Sequence, residues 1–504
     1  HLLIKGRADQ ISHVMNFSYP ILIAFTAYLV LLLIIGIKAY GHTHSLNDYI
    51  LGGRKLGPLI VALSVGASDM SGWLLLGLPG AVYLAGLSEA WLGIGLAIGA
   101  YFNWRFVARS LRIYSERANN ALTLPDYFEF RFKDETKLIR SVSAIVILIF
   151  FTFYVASGLV GGAILFENSF FISYEVALVG GCLLIVFYTM IGGFLAVVWT
   201  DAMQAFLILL ALVIAPILVF FEIGNGSELI LKMETVKPGS TNLLSGVSSI
   251  GFVSLLGWGL GYFGQPHILT RFMAARNPNE MNFARRAAMS WMILVLAGSV
   301  ASGLAGIVYF SETPLANSET VFIALNQSLF NPWVAGIITA AILSAIMSTI
   351  DSQLLVSSSV VSEDFYKVFI RPDASEKELI LVSRVGVLCV ACVALWIASD
   401  RESKVLELVS YAWAGFGSAF GPVIVFSLFL RTMTAKSAVI SMFVGSITVI
   451  VWSNLEGGLF DLYELVPGFV VASFSIIFFS RLAPQENKPT LKEFDDITRE
   501  IDAT

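Results

Sequence analysis

The feature that most constrains this chain is a succession of apolar runs, each long enough to cross a lipid bilayer as a helix. A spanning helix needs about 20 predominantly apolar residues. Thirteen such runs lie near residues 19–39, 58–82, 88–111, 138–166, 174–191, 194–222, 249–272, 284–310, 332–358, 379–399, 406–430, 435–453 and 462–482. Backbone polar groups inside a bilayer must be bonded internally, which favours helices. The sequence therefore predicts an all-α polytopic membrane protein with about thirteen transmembrane helices.

The composition agrees with a membrane location and excludes some functions. The chain is 57% hydrophobic and 13% charged, whereas soluble domains carry about 25% charged residues. A GxxxxGK[ST] run is missing from the sequence, which argues against an ATP-driven pump. The three cysteines lie in apolar runs, so we expect them to pack rather than to form disulfides. The sequence indicates the lipid bilayer as surroundings, and neither a nucleic acid nor an obligate protein partner.

The distribution of basic residues predicts the orientation. Lysine and arginine are concentrated near 105–140, 271–286 and 367–384, and basic loops are typically cytoplasmic. With thirteen spans these loops fall on one side, which predicts the N-terminus outside and the C-terminus in the cytoplasm.

The chain is expected to form one transmembrane domain over residues 19–482. We expect residues 1–18 to be a polar N-terminal extension. The polar, acidic segment 483–504 is expected to be a solvated cytoplasmic tail with a short helix.

Two of the apolar runs are interrupted at mid-depth. The second run carries glycines, hydroxyls and a carboxylate where a lipid-spanning helix normally carries leucine: Gly66, Ser68, Asp69, Ser71 and Gly72. The seventh carries a glycine-rich stretch over residues 257–266. Paired interrupted segments are the best sequence indication of a secondary-transporter site. Because the two runs are five spans apart, they predict two inverted five-helix repeats, about 58–222 and 249–430.

A third feature lies in the ninth run, where Ala345, Ser348 and Thr349 share one helical face. The ordinary interpretation is that both hydroxyls bond carbonyls one turn earlier in their own helix. The alternative is an ion site, because Na⁺ requires several oxygen ligands and unwound backbone supplies them in transporters. Carbonyls freed near Ala67 and Met70 would complete a largely neutral shell.

Several segments of the chain resemble the sodium:solute symporter family, and most closely its proline-carrying members. The segments are Asp48–Arg54, Ser64–Trp73, Gly77–Ala81, Ala121–Tyr127, Gly257–His267 and Ser410–Gly417. The resemblance extends from about residue 19 to the last apolar run. It implies a leucine-transporter-like fold with inverted five-helix repeats, in agreement with the placement of the two interrupted runs.

The resemblance also implies a function. The expected activity is Na⁺-coupled uptake of L-proline across the bacterial cytoplasmic (inner) membrane by alternating access, with Na⁺ as the coupling ion. A transporter of this kind makes and breaks no covalent bond and is not an enzyme. The alternatives are a Na⁺ symporter for another amino acid, a carboxylate or a sugar, a sensor that keeps the fold, and a channel.

The resemblance implies two groups of binding residues. The sodium ligands would be the backbone oxygens and hydroxyls of Ala67, Met70, Ala345, Ser348 and Thr349. The solute would lie in an aromatic site formed by Trp73, Tyr154, Trp258, Tyr262 and Pro266. Such a site suits proline, because its ring packs on aromatic faces and its ammonium gains about 0.5–2 kcal/mol over a ring. Its carboxylate would face N–H groups freed at the break. The ordinary alternative for tryptophan and tyrosine is an interfacial belt.

Five further residues are assigned to the ion path or to coupling: Arg54, Asp69, Ser71, Gly72 and Asp201. An ionisable group at membrane depth is functional by default, and we expect Asp69 to support sodium binding without direct ligation. Asp201 is interpreted either as a gating carboxylate or as an acid at the start of the sixth span. Arg54 is interpreted as a coupling residue or as a cytoplasmic anchor.

Overall fold

A computed structural model describes the backbone of residues 2–41, 45–170, 172–223 and 226–503. The described residues form helices, and the single β-bridge joins Leu56 to Ala275. The α-helices are α1 Leu2–Tyr40, α2 Leu46–Leu51, α3 Pro58–Asp69, α4 Leu78–Ala85, α5 Ala90–Phe102, α6 Ala108–Arg117, α7 Leu124–Phe132, α8 Leu138–Phe170, α9 Tyr174–Ile223, α10 Gly226–Val236, α11 Ser249–Gly257, α12 Pro266–Met273, α13 Met281–Tyr309, α14 Val321–Leu329, α15 Pro332–Ser359, α16 Glu376–Ala398, α17 Val405–Phe429, α18 Ala435–Trp452, α19 Leu465–Leu482 and α20 Lys488–Ala503. Shorter 3₁₀ or π segments are Gly52–Arg54, Trp73–Gly77, Leu87–Glu89, Asn103–Val107, Trp258–Gly264, Pro278–Glu280, Ser318–Thr320, Val360–Ile370 and Gly458–Asp461.

These helices confirm an all-α polytopic membrane protein. In the described part of the chain, nine helices are long and apolar enough to cross a bilayer. A tenth span is the pair Pro58–Asp69 and Trp73–Ala85, which is bent by 62°. Of the other three predicted spans, 88–111 and 249–272 are divided into shorter helical pieces, and 174–191 is the first part of α9. The count of thirteen therefore stays a prediction.

A turn at Gly193 separates the fifth and sixth predicted spans, which otherwise run together as α9. Gly193 has φ 61° and ψ −170°, a backbone conformation that residues other than glycine rarely adopt. A Cβ atom there would also lie 2.7 Å from the ring of Tyr49. The turn therefore requires glycine, and it allows the two halves of α9 to pack on different neighbours.

The innermost helix is α15, which packs against α1, α3, α8 and α9. Its residues from 338 to 359 are buried on every side, as is typical of a helix enclosed by others. The predicted sodium residues of the ninth run therefore lie at the centre of the bundle, where α15 meets the break after α3.

The tail differs from the expectation of a solvated segment, because one face of α20 is docked. The side chains of Phe494 and Ile497 are 6% and 3% exposed. The Phe494 ring lies 6.4 Å from that of Tyr114, and the Arg131 guanidinium lies 4.7 Å from the Phe494 ring centroid. The apolar face of the amphipathic helix α20 thus packs on α6 and α7. Residues 1 and 504, and the side chains of residues 1–18, lie outside the described part, so the predicted extension is not described further.

Several arginines that we counted as cytoplasmic loop charges are buried. Arg112, Arg131, Arg140 and Arg271 are 3%, 2%, 7% and 1% exposed, and all four donate hydrogen bonds within the protein. They serve packing rather than marking the membrane surface. The predicted orientation therefore depends on the remaining basic residues of those loops.

Candidate ion and solute site

The break after α3 frees two backbone carbonyls. In a regular helix the N–H of Ser71 would bond the carbonyl of Ala67, and the N–H of Leu74 that of Met70. Instead, the Ser71 N–H donates to the Asp69 carbonyl at 2.9 Å, and the Leu74 N–H donates to the Ser71 carbonyl at 3.1 Å. The carbonyls of Ala67 and Met70 are left without their helical donors, and such buried groups require other partners.

The hydroxyl pair of α15 reaches the freed carbonyl of Ala67. The Ser348 hydroxyl lies 2.7 Å from the Ala67 oxygen and 3.1 Å from that of Ala345. The Thr349 hydroxyl lies 3.4 Å from the Ala67 oxygen and 3.2 Å from that of Ala345. The ordinary interpretation is confirmed, since each hydroxyl lies within bonding distance of a carbonyl of its own helix and also of one in α3. The ion site stays a prediction.

These oxygens have the chemistry of a site for a hard monovalent cation. They are neutral carbonyl and hydroxyl oxygens, the ligand type that hard cations prefer, and they lie at the negative C-terminal end of α3. Within the described ranges no three His, Cys, Asp or Glu residues form a metal-binding group. A cation held here would join α3 to α15, two helices that are far apart in sequence.

Asp69 faces the aromatic residues rather than the hydroxyl pair. Its Oδ2 atom accepts a hydrogen bond from the Tyr262 hydroxyl, and its backbone carbonyl accepts one from the Trp73 indole at 3.1 Å. The other carboxylate oxygen, Oδ1, is buried without a partner among the described residues. Asp69 thus joins the break of the second span to the interrupted seventh span.

Trp413 links two of the aromatic residues that the sequence assigned to the solute. Its ring is edge-on to that of Tyr262 at 5.1 Å, and its indole N–H donates to the Trp258 carbonyl at 2.8 Å. The Trp258 ring itself stacks on Tyr463, 5.1 Å away. Trp413 was absent from the predicted site, although it lies in the segment 410–417 that carries the family resemblance.

A second group of buried polar atoms lies around Tyr154. Its ring is edge-on to His267 at 5.9 Å, and its hydroxyl faces Ser71 without a well-formed hydrogen bond. Both ring nitrogens of His267 are buried and unpartnered within the described residues. Pro266 begins α12 beside this group. Buried polar atoms are normally bonded, so these unpartnered groups could bond a polar ligand.

A buried ion pair that the sequence did not predict lies behind the cation site. Arg271 Nη2 lies 2.9 Å from Asp201 Oδ2 and 2.5 Å from the Ser352 hydroxyl. The Ser64 hydroxyl donates to the same Asp201 oxygen at 2.6 Å. The Ser352 hydroxyl donates in turn to the Ser348 carbonyl at 2.7 Å. A continuous hydrogen-bonded chain therefore connects the ion pair to a predicted sodium ligand residue.

Asp201 is not an acid at the start of a helix. It lies inside α9, eight residues after the turn at Gly193, and is 0% exposed. Its carboxylate is directed at Arg271 rather than at a helix N-terminus. The interpretation as a dipole-stabilised terminal acid is therefore wrong.

Arg54 is buried and bonds separate segments of the chain to one another, rather than lying at the membrane surface. It is 8% exposed and donates to Asn120 Oδ1 at 2.7 Å, to the Ala121 carbonyl at 2.7 Å and to the Met273 carbonyl at 2.5 Å. Burial lowers the pKa of this guanidinium to about 10. The contacts tie the entry to α3 to the ends of α6 and α12 on the predicted cytoplasmic side.

Ser71 and Gly72 form the turn of the break. The Ser71 hydroxyl accepts from the Trp73 N–H at 3.4 Å. A Cβ atom on Gly72 would lie 3.2 Å from the Ile346 side chain, so the absent side chain lets α15 approach the break closely.

Residues 49–445 match the sodium:solute symporter family. A sodium/proline symporter of Escherichia coli strain K12 is 52% identical over 489 residues, covering 95% of this chain and 96% of the relative. The osmoregulated proline transporter OpuE of Bacillus subtilis strain 168 is 44% identical over 482 residues, covering 95% and 98%.

Among solved structures, the substrate-bound outward-open state of a Na⁺-coupled sialic acid symporter matches with a TM-score of 0.78. The identity is 20%, and the match covers 94% of this chain and 100% of the other. This likeness confirms the leucine-transporter-like fold.

Proposed function

The chain belongs to the sodium:solute symporter family, and from that premise we propose that it carries L-proline into the cell together with Na⁺. The observation that carries the proposal is the contact between the freed Ala67 carbonyl and the hydroxyls of Ser348 and Thr349. The 52% identity to a sodium/proline symporter over nearly the whole chain supports proline as the solute.

Sodium binding acts by joining two helices. The ion is held by the backbone oxygens of Ala67, Met70 and Ala345 and by the hydroxyls of Ser348 and Thr349. The Ser348 hydroxyl donates to the Ala67 carbonyl and the Thr349 hydroxyl to the Ala345 carbonyl. With the ion, these oxygens turn toward it and fix the break against α15.

Proline binds next to this break among Trp73, Tyr154, Trp258, Tyr262 and Pro266. Its ring packs on the aromatic faces, and its ammonium gains from ring faces and from Asp69. Its carboxylate pairs with the unpartnered polar atoms around Tyr154, because the N–H groups of Ser71, Trp73 and Leu74 at the break are bonded within the break. Trp73 and Tyr154 are 2% and 1% exposed, so both side chains lie inside the helix bundle.

The cycle follows from this arrangement. Sodium orders the break and raises proline affinity, the outer path closes, and the inner path opens. The inner path passes Arg54, which ties the entry to α3 to the ends of α6 and α12. It also passes Asp201, which forms a buried ion pair with Arg271. The low sodium concentration of the cytoplasm then releases the ion, and each charge that moves inward gains about 2.3 kcal/mol per 100 mV. The protein lies in the bacterial inner membrane with its N-terminus outside and its C-terminus inside, and it makes no covalent bond.

Uptake into proteoliposomes tests this function. Purified protein is reconstituted, and radiolabelled L-proline is supplied with an inward sodium gradient, with choline in place of sodium, or with equal sodium on both sides. We expect accumulation above equilibrium only with the gradient. Equal uptake in choline would overturn sodium coupling.

The alternative solute is another small molecule carried in the same fold. A competition series against labelled proline with other amino acids, carboxylates and sugars distinguishes the two. Stronger competition by one of these compounds than by unlabelled proline would replace proline as the solute.

A further inference from the structure

A long apolar groove runs along the outside of the bundle between α5 and α13. It encloses about 730 Å³. On α5 it extends from Ala90 to Phe102, a rise of about 18 Å, and on α13 from Met289 to Leu304, a rise of about 22 Å. One leaflet of the hydrocarbon core is about 15 Å thick. The groove is therefore as long as a lipid chain that lies in one leaflet.

The groove faces the membrane rather than the solute site. Side chains on its walls are strongly exposed: Ile98 is 49%, Phe102 43% and Ile293 55% exposed. Small residues, including Ala97 and Ala297, form its floor. Its lining is made of apolar and aromatic residues, so its occupant must be hydrocarbon along this length.

One end of the groove is strongly basic. The Arg285 guanidinium lies 5.5 Å from the ring of Tyr101, which lines the groove. Arg105 lies one helical turn beyond Tyr101, with its guanidinium 5.5 Å from the Phe106 ring. Among the residues that the structure describes, no carboxylate pairs with either arginine, whereas nearby Arg276 pairs with Glu280 at 2.9 Å.

An acidic residue precedes the opposite end of the groove on α5. Glu89 precedes Ala90, the first groove residue on α5. The charge therefore favours an elongated occupant with one anionic end, placed at the arginines. A second copy of this chain would place a protein surface in the groove. It would not supply a hydrocarbon chain with a single anionic group at one end.

We infer that the groove between α5 and α13 binds one anionic diacyl phospholipid, with an acyl chain along the groove and its phosphate against Arg105 and Arg285. Basic pockets between membrane helices on the cytoplasmic side recognise anionic head groups in this way. Both arginines lie in the basic segments 105–140 and 271–286, which the sequence predicts on the cytoplasmic side, so the lipid belongs to the inner leaflet.

Lipid retention tests the site without a transport assay. Protein purified in detergent is incubated with equal amounts of phosphatidylglycerol and phosphatidylcholine of the same acyl chains, and bound lipid is counted by native mass spectrometry. We expect about one retained phosphatidylglycerol and an approximately tenfold preference for it. The double variant Arg105→Gln with Arg285→Gln should reduce the preference to about one. The double variant Arg105→Lys with Arg285→Lys keeps both charges and should keep the preference.

Groove-filling variants test the position of the chain. Ala297→Trp should release the bound lipid, while Gly180→Trp, at an exposed glycine with open space around it, should not. Arg276→Gln controls for the loss of a paired arginine, and a melting temperature checks the folding of each variant. Equal retention of both lipids by the unaltered protein would overturn the inference, as would a preference that survives the double Gln change. Loss of a dimer rather than of lipid in Ala297→Trp would assign the groove to a second copy.

Discussion

At the scale of single residues, the proposed ion site consists of neutral oxygens rather than a carboxylate. Thr349→Ala removes one of two hydroxyls that meet the Ala67 and Ala345 carbonyls. A hydrogen-bonding contact to a charged group contributes about 1.5–3 kcal/mol, and 1.4 kcal/mol is about a factor of ten. We expect the sodium concentration for half-maximal proline uptake to rise at least tenfold, measured in proteoliposomes.

Two variants make this measurement specific. Thr349→Ser keeps the hydroxyl and should stay within a few fold of the unaltered protein. Ser358→Ala, in the same buried helix, removes a hydroxyl that bonds only the Leu355 carbonyl one turn earlier, and its sodium requirement should not change. An equal rise in Ser358→Ala would show that the effect is one of helix α15 as a whole.

The second residue-scale prediction concerns the stability that the buried ion pair of Asp201 and Arg271 provides. Removing one partner of a buried pair leaves an uncompensated charge and costs about 3–5 kcal/mol. Asp201→Asn and Arg271→Met should each lower the melting temperature of the purified protein strongly. The double variant should recover most of that loss, because neither partner is left as an uncompensated charge. Additive losses in the double variant would contradict direct pairing.

At the scale of elements, α5 and the interrupted seventh span approach each other backbone to backbone at two glycines. A Cβ atom on Gly99 would lie 2.0 Å from the Gly259 carbonyl oxygen, and one on Gly95 would lie 2.6 Å from the Leu256 carbonyl oxygen. Small residues four apart permit this close approach of membrane helices. The 3₁₀ segment Trp258–Gly264, which carries two of the aromatic residues, is thus positioned by α5.

Gly99→Ala should displace that segment. Because the opposing atom is backbone, the strain cannot be relieved by a side-chain rotation, and overpacking of this kind costs about 1–3 kcal/mol. We expect a lower melting temperature and weaker proline binding, measured by equilibrium binding at saturating sodium. Gly180→Ala, where a Cβ atom meets nothing within 4 Å, is the matched control. Unchanged proline affinity in Gly99→Ala would separate α5 from the solute site.

The docked tail gives another element-scale prediction. Phe494 is the main side chain that α20 buries against Tyr114 and Arg131. Phe494→Ala should release α20, and amide hydrogen exchange over residues 488–503 should become faster while exchange in α15 stays the same. Lys492→Ala, on the exposed face, should leave exchange unchanged. Slow exchange in Phe494→Ala would mean that ion pairs such as Arg431 with Asp495 hold the helix.

At the scale of the whole molecule, local patterns predicted the helices, the break and the hydroxyl face, because each depends on residues within two turns of one another. The pairing of Arg271 with Asp201 joins positions 70 residues apart. The bond from Trp413 to Trp258 joins positions 155 apart. Periodicity carries no information about such partners, so Arg271 looked like a loop charge and Trp413 was missed. The family resemblance supplied the aromatic site, but it did not supply the contacts that hold it.

The last prediction concerns the coupling of the two ligands through the break. Ala67 and Met70 are proposed ligands of the cation, while Asp69 and Trp73 contact the proposed aromatic site or each other, so one turn of chain would serve both. Ordering that turn by one ligand lowers the cost of binding the other, and the factor must be the same in both directions. We expect sodium to raise proline affinity, and proline to raise sodium affinity, by one common factor of about 5–150. Titration calorimetry in choline, in saturating sodium and in saturating proline measures both. A factor near one, with both ligands bound, would show that the break does not couple the two sites.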